Sequence, residues 1–210
     1  MAEAYFGRLL TAMVTPFNAD GSVNCEAAAD FAEWLLANGS DGLVVEGSTG
    51  EAATMFMDEK IAVLKAVVER VNGRAPVIVG AGTNCTASTL ELINAVEACG
   101  VDGLLVVGPY YNKPTQEGYY QHFAAVAKST NLPIIVYNVP GRTGSNIEPK
   151  TVARLAAEFP NIVAVKEAAG NVAQTAELFR VLPENVTIYS GDDGLVLPFM
   201  AVGARGVISV

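Results

Sequence analysis

Positive charge is scarce in this sequence. Lysine and arginine number 13 against 22 aspartates and glutamates, a formal net charge of −9 at pH 7 over 210 residues. Nucleic acid and anionic membranes both require a basic surface, so neither is expected as a partner. Histidine occurs once, as His122 in the stretch YYQHF. A metal centre or a histidine base needs more partners, so His122 reads as a helix-surface or packing residue. Cysteine occurs three times, at Cys25, Cys85 and Cys99. That odd, scattered set supports neither a disulfide framework nor a CxxC metal site, and the thiols are expected as small buried residues in a reducing compartment. Long apolar runs are also missing. The strand-like stretches reach about five to seven residues, far short of the roughly 20 a membrane helix needs. The start, MAEAYFGRLL, has no basic n-region or continuous apolar h-region, so no signal peptide and a cytoplasmic location are expected.

Apolar residues, in contrast, are abundant. They make up 51% of the chain, with 17% charged and a mean hydropathy of +0.33. Short β-branched or leucine-rich runs recur: LLTAMVT from Leu9, GLVV from Gly42, PVIVG from Pro76 and GLLVV from Gly103. PIIVY from Pro133, IVAVK from Ile162, TIYSG from Thr187 and GVISV from Gly206 follow. They are nearly all apolar rather than alternating, as strands buried on both faces should be. Helical spacing fills the gaps. Cys25 to Ala37 sets Phe31, Trp34 and Leu35 on one face, with Trp34 read as core. Asp58 is placed to cap the next helix and Thr86 or Ser88 the one after. Further helices fit 115–129, 149–159, 172–182 and 193–202, with Asp192 and Asp193 read as a helix cap rather than a metal site. Gly39, Gly73 and Gly100 follow helix ends, where a left-handed residue is wanted.

Regular strand–helix alternation implies a parallel sheet, and eight repeats point to a closed (β/α)8 TIM barrel as one domain over residues 1–210. The open nucleotide-binding alternative has only Gly80-Ala81-Gly82, and Cys85 stands where its third glycine belongs. The sequence stops at the eighth strand, so the barrel is expected to be truncated there, without its final helix or any C-terminal helical region.

In such barrels chemistry gathers where strands end and the following loops begin. Lys166 ends the run Ile162-Val163-Ala164-Val165. Strand alternation puts Ile162, Ala164 and Lys166 on one side. A lysine there either reaches out to water or, held in dry surroundings, loses its proton easily and becomes a nucleophile toward carbonyls. After the second strand, Gly47-Ser48-Thr49-Gly50-Glu51 offers hydroxyls and amides for a carboxylate, or is an ordinary loop. After the fourth comes Tyr110-Tyr111, which either reacts, packs the rim or contacts another subunit. After the fifth, Tyr137 shares a face with Ile135, and Arg142 is suited to bidentate carboxylate binding. Glu167 should face away from Lys166 and pair elsewhere.

The motifs GSTGE (47–51), PYYNKPTQEG (109–118), YNVPGRTG (137–144), VKEAAGN (165–171), SGDD (190–193) and GVISV (206–210) occur in this order. Together they resemble the dihydrodipicolinate synthase and N-acetylneuraminate lyase family of pyruvate-dependent aldolases, from Leu9 to the last residue. Arg142 makes the chain similar to the dihydrodipicolinate synthase branch. The resemblance implies that Lys166 forms a Schiff base with pyruvate and that Tyr137 donates and accepts protons. Ser48 and Tyr111 would complete a hydroxyl relay, with Tyr111 crossing into a neighbouring subunit of a homotetramer. Thr49, Ile208 and Gly191 would contact pyruvate, and Arg142 the carboxylate of L-aspartate 4-semialdehyde. The implied product is 4-hydroxy-tetrahydrodipicolinate, on the way to diaminopimelate and lysine, with no metal or organic cofactor. Other readings are a sialic-acid or keto-deoxy sugar acid lyase, or a barrel that binds a metabolite without catalysis. Asn84 and Tyr110 fit a lysine-effector site. Met57, Lys60 and Ser88 stand where lysine-inhibited bacterial members carry two histidines and a glutamate, so weak or absent feedback is expected.

Overall fold

Eight short strands pair in parallel, each with its sequence neighbour, and β8 returns to β1 to close a barrel in the computed structural model, which describes residues 4–210. They are β1 (Leu9–Ala12), β2 (Gly42–Val45), β3 (Val77–Gly80), β4 (Gly103–Val107), β5 (Ile134–Asn138), β6 (Ile162–Glu167), β7 (Thr187–Ser190) and β8 (Gly206–Ser209). The helices are α1 (Cys25–Ala37), α2 (Met57–Val71), α3 (Thr86–Glu97), α4 (Gln116–Ser129), the single turn α5 (Pro140–Thr143), α6 (Pro149–Glu158), α7 (Val172–Val181) and α8 (Val196–Ala201). The expected fold is therefore present. The segment expected to be helical over 193–202 splits into a 3-10 turn, Asp193–Leu195, followed by α8.

The near-absence of polar residues in the strands reflects two separate apolar layers. Leu10, Val44, Ile78, Leu105, Ile135, Ala164, Tyr189 and Ile208 fill the barrel interior. Leu43, Val45, Val79, Val106, Val136 and Val165 face outward against the helices. One strand departs from simple alternation. Ile134 pairs with Ile162, but Ile135 pairs with Ala164, so Val163 is an extra residue, a β-bulge. Val163 and Ala164 both join the interior, whereas Ile162 packs outward. The expectation that Ile162 shares a side with Lys166 is thus wrong, and the bulge is the reason.

Side-chain capping accounts for four of the eight helix starts. The side chains of Asn24, Thr115 and Asn171 accept hydrogen bonds from the N–H groups of Ala27, Gly118 and Gln174. At α2 the role falls to Glu59, whose carboxylate accepts from the Phe56 N–H at 2.8 Å, and not to Asp58. Cys85 precedes α3 and makes no side-chain cap; Thr86 is the first helical residue. Two burial expectations fail. Trp34 is 57% exposed and stacks on Phe31 on the outside of α1, and Cys85 is exposed with Cys25 and Cys99 only half-buried. His122 does pack inside, its Nδ1 2.9 Å from the Thr86 hydroxyl. Burial pulls its pKa down to about 4. Among the described residues no helix is long and apolar enough to cross a membrane, and no cluster of three or more His, Cys, Asp or Glu is arranged to hold a metal ion.

Candidate active site

Strand register brings the two central groups together. Tyr137 of β5 pairs with Lys166 of β6, both near the C-terminal ends of their strands. The Lys166 Nζ lies 4.6 Å from the centroid of the Tyr137 ring, and the lysine is only 4% exposed. Burial pulls its pKa from 10.5 down to about 8; Asp193 opposes this and Arg142 adds to it. At pH 7 roughly a tenth of such amines are neutral, against roughly 0.03% of ordinary lysines. Burial pushes the Tyr137 phenol up, while hydrogen bonding to the Ser48 side chain and the charge of Arg142 pull it back. Gly191 packs on the other side. A Cβ there would come within 3.0 Å of the Lys166 Cε and 2.7 Å of the Ala168 Cβ, so only glycine leaves the lysine stem its room.

Above this pair opens a cleft of about 1160 Å³. Ser48, Tyr110, Tyr111, Tyr137 and Arg142 belong to its wall. Lys166, Thr49, Gly191, Ile208 and Asn84 do not. Lys166 lies against the Tyr137 ring, Ile208 is buried in the barrel interior with Tyr137, and Thr49 sits within the turn closed by Gly50 N–H to Gly47 O at 3.1 Å. The Asn84 carbonyl accepts from the Asn112 side chain at 2.6 Å, which ties two rim loops together. Arg142 rides on the one-turn helix α5, ended by the left-handed Gly144. Tyr111 is 86% exposed and holds a left-handed backbone, φ 71°. Its N–H donates to the Thr143 carbonyl at 3.1 Å, linking the tyrosine loop to the Arg142 turn. Among the described residues, four of the five non-glycine residues with positive φ, namely Glu46, Glu51, Tyr111 and Lys113, sit on this rim. Strain of that kind gathers where a loop is held for function.

Two sets of residues at the site belong to no expectation from the sequence. Glu46, 2% exposed, follows β2 and lines the cleft with Lys60, yet neither carboxylate oxygen has a hydrogen-bond partner. Burial pushes its pKa to about 8, with Lys60 opposing. It follows an apolar run just as Lys166 does, which was the available signal. The second set is Asn138, Asn146 and Gln174, which surround Glu167 behind the site. Nothing local links them, because their partners lie up to 29 residues apart.

A closed parallel barrel with a dry, easily deprotonated lysine beneath a tyrosine defines an enzyme-like site for carbonyl chemistry through an amine. The chain belongs to the dihydrodipicolinate synthetase family, whose model matches residues 5–210. A 4-hydroxy-tetrahydrodipicolinate synthase from Desulforamulus reducens is 55% identical over 210 residues, covering 100% of this chain and 71% of its own length. The crystal structure of a dihydrodipicolinate synthase from Bacillus anthracis superposes with a TM-score of 0.95 at 47% identity, covering 98% of this chain and 70% of that one. The chloride-inhibited dihydrodipicolinate synthase from Acinetobacter baumannii, solved in complex with pyruvate, gives a TM-score of 0.94 at 43% identity over 98% of this chain and 70% of that one.

Proposed function

We propose that this chain condenses pyruvate with L-aspartate 4-semialdehyde to form 4-hydroxy-tetrahydrodipicolinate. The observation that carries this is the buried Lys166 amine under the Tyr137 ring in a chain of this family. The neutral Nζ adds to the keto carbon of pyruvate and water leaves, giving an imine. The imine is an electron sink, so a methyl proton departs and an enamine remains. That carbon attacks the aldehyde of the second substrate, whose oxygen takes a proton. The second substrate's own amine then displaces Lys166 from the imine carbon, which closes the ring. One water is lost overall.

Each step moves a proton, and Tyr137 with Ser48 supplies a hydroxyl path at the right place. Arg142 in the cleft wall offers a guanidinium to the second substrate's carboxylate. This favours an aldehyde bearing a carboxylate over a neutral sugar. Thr49, Gly191 and Ile208 are assigned to pyruvate, and the exposed Tyr111 to the site of a second copy in a cytoplasmic homotetramer. Lysine feedback is assigned as weak, because Lys60 sets a positive charge in the cleft wall where an effector ammonium would approach.

Borohydride reduction with pyruvate, followed by peptide mass mapping, tests the reading. A pyruvate adduct on Lys166 is expected, and Lys166→Ala abolishes it. An unmodified Lys166 in folded protein overturns the mechanism. A coupled assay offering aspartate semialdehyde beside sugar acids separates the two lyase branches. Strong inhibition by lysine added to the same assay overturns the effector assignment.

A further inference from the structure

Directly behind the lysine and the tyrosine, on the outer face of the sheet, lies a closed polar cluster. Asn138 follows Tyr137 and Glu167 follows Lys166, and the two are register partners. Glu167 is 0% exposed, and its only neighbours in hydrogen bonding are neutral donors. Its Oε1 accepts from the Ala169 N–H at 2.7 Å and from Asn138 Nδ2 at 3.1 Å; its Oε2 accepts from Asn138 Nδ2 and Gln174 Nε2, both at 3.1 Å. Asn138 Nδ2 also donates to Asn146 Oδ1 at 2.8 Å, and Asn138 Oδ1 accepts from the Ile147 N–H at 3.0 Å. Asn146 and Gln174 exchange a pair of hydrogen bonds at 2.9 and 3.0 Å.

The cluster grips four things at once: the end of β5, the end of β6, the far end of the turn that carries Arg142, and α7. Every member is needed as it stands. The carboxylate only accepts, and the amide nitrogens only donate. We infer that Glu167, with Asn138, Asn146 and Gln174, is a positioning clamp that keeps the Lys166 amine dry and registered beneath the Tyr137 ring. The inference rests on the Schiff-base reading above. Charged and titratable groups on the inner side of the pair are Asp193, Arg142 and the Tyr137 phenol itself. None of them changes in the variants below, so in Glu167→Gln the charge of Glu167 is the one electrostatic difference, and its effect on Lys166 has the opposite sign to that of lost geometry.

Glu167→Gln keeps the shape but turns one acceptor into a donor, facing the donating nitrogen of Asn138. Asn138 or Gln174 must then turn its amide: turning Asn138 releases the Ile147 N–H, and turning Gln174 breaks its paired hydrogen bonds with Asn146. The readout is the rate of borohydride trapping with pyruvate as a function of pH. The wild-type rate is expected to rise through an inflection near 8. In Glu167→Gln, water entry returns the amine toward ordinary basicity. Trapping slows about tenfold at pH 7 while the plateau at high pH is unchanged, a split that loss of folded protein would not produce. Removing the negative charge alone predicts the opposite sign, faster trapping, because a nearby carboxylate favours the ammonium. Asn138→Asp combined with Glu167→Gln re-pairs donor with acceptor once the Asn146 and Gln174 amides turn together, which keeps their own pair, and restores the rate at pH 7 to within about twofold. Gln174→Met, on the half-buried side of the clamp, serves if Glu167→Gln does not fold; it slows trapping in the same direction by about threefold. Unchanged or faster trapping at pH 7 in the folded variants overturns the clamp. Absence of trapping in the wild type at every pH instead removes the Schiff-base reading, and the clamp with it.

Discussion

Two glutamates stand at strand ends of this barrel, both essentially without solvent, and they live in opposite circumstances. Glu167 on the β5–β6 side is met by four hydrogen bonds from Asn138, Ala169 and Gln174. Glu46 on the β2–β3 side has none, and it holds a left-handed backbone pressed against Gly80. A buried carboxyl surrounded by donors organises its neighbours; one without them is a cost carried by the rest of the fold. The rim is therefore firm beside Lys166 and Tyr137 and under tension beside the Ser48 loop.

The contrast can be broken from either side. Glu167→Val strands the side-chain donors of Asn138 and Gln174 and the N–H of Ala169. A loss on the order of 3 kcal/mol is expected in urea unfolding, since each stranded donor costs about 1–3 kcal/mol. Glu46→Gln acts with the other sign. The Glu46 pKa is raised in the fold from 4.5 to about 8, so its stability contribution is intact below the unfolded value and is lost as pH rises through the folded one. The variant is expected to match the wild type near pH 4.5 and to exceed it at pH 8 by on the order of 2 kcal/mol, read as a difference in urea midpoints. His122 provides the acid-side counterpart. Its pKa falls from 6.5 to about 4, so stability declines as pH drops across that window; His122→Gln flattens the decline by on the order of 1 kcal/mol. Least of all, Arg180→Ala breaks an exposed pair with Glu177 and is expected to leave the melting midpoint unchanged.

The strands were legible because both faces are buried, and a short apolar run bounded by glycine or proline has few structures open to it besides a buried strand. The Tyr137–Lys166 pair was legible for a related reason: a polar residue closing such a run lands on the rim. Glu46 obeys the same rule, but the glycines and hydroxyls of GSTGE directly behind it make the loop the stronger local signal. Faces were less legible than elements. Trp34 fits a helical stripe, yet the stripe is wider than the buried face, and its ring ends on Phe31 in solvent. Nothing in IVAVK announces the extra residue that turns Ile162 outward. The clamp was invisible for another reason. Asn138, Asn146, Glu167 and Gln174 are ordinary polar residues until three segments are folded together.

The bulge at Val163 carries a consequence larger than its size. Ile162 points to the helices, and four residues further along a regular strand Lys166 would do the same. The single additional position reverses that parity. Were every residue from Ile162 onward to alternate regularly, with none bulged, the two sides would trade occupants: the acid of 167 would enter the barrel lumen and the amine of 166 would be stranded among helices, out of reach of any keto acid.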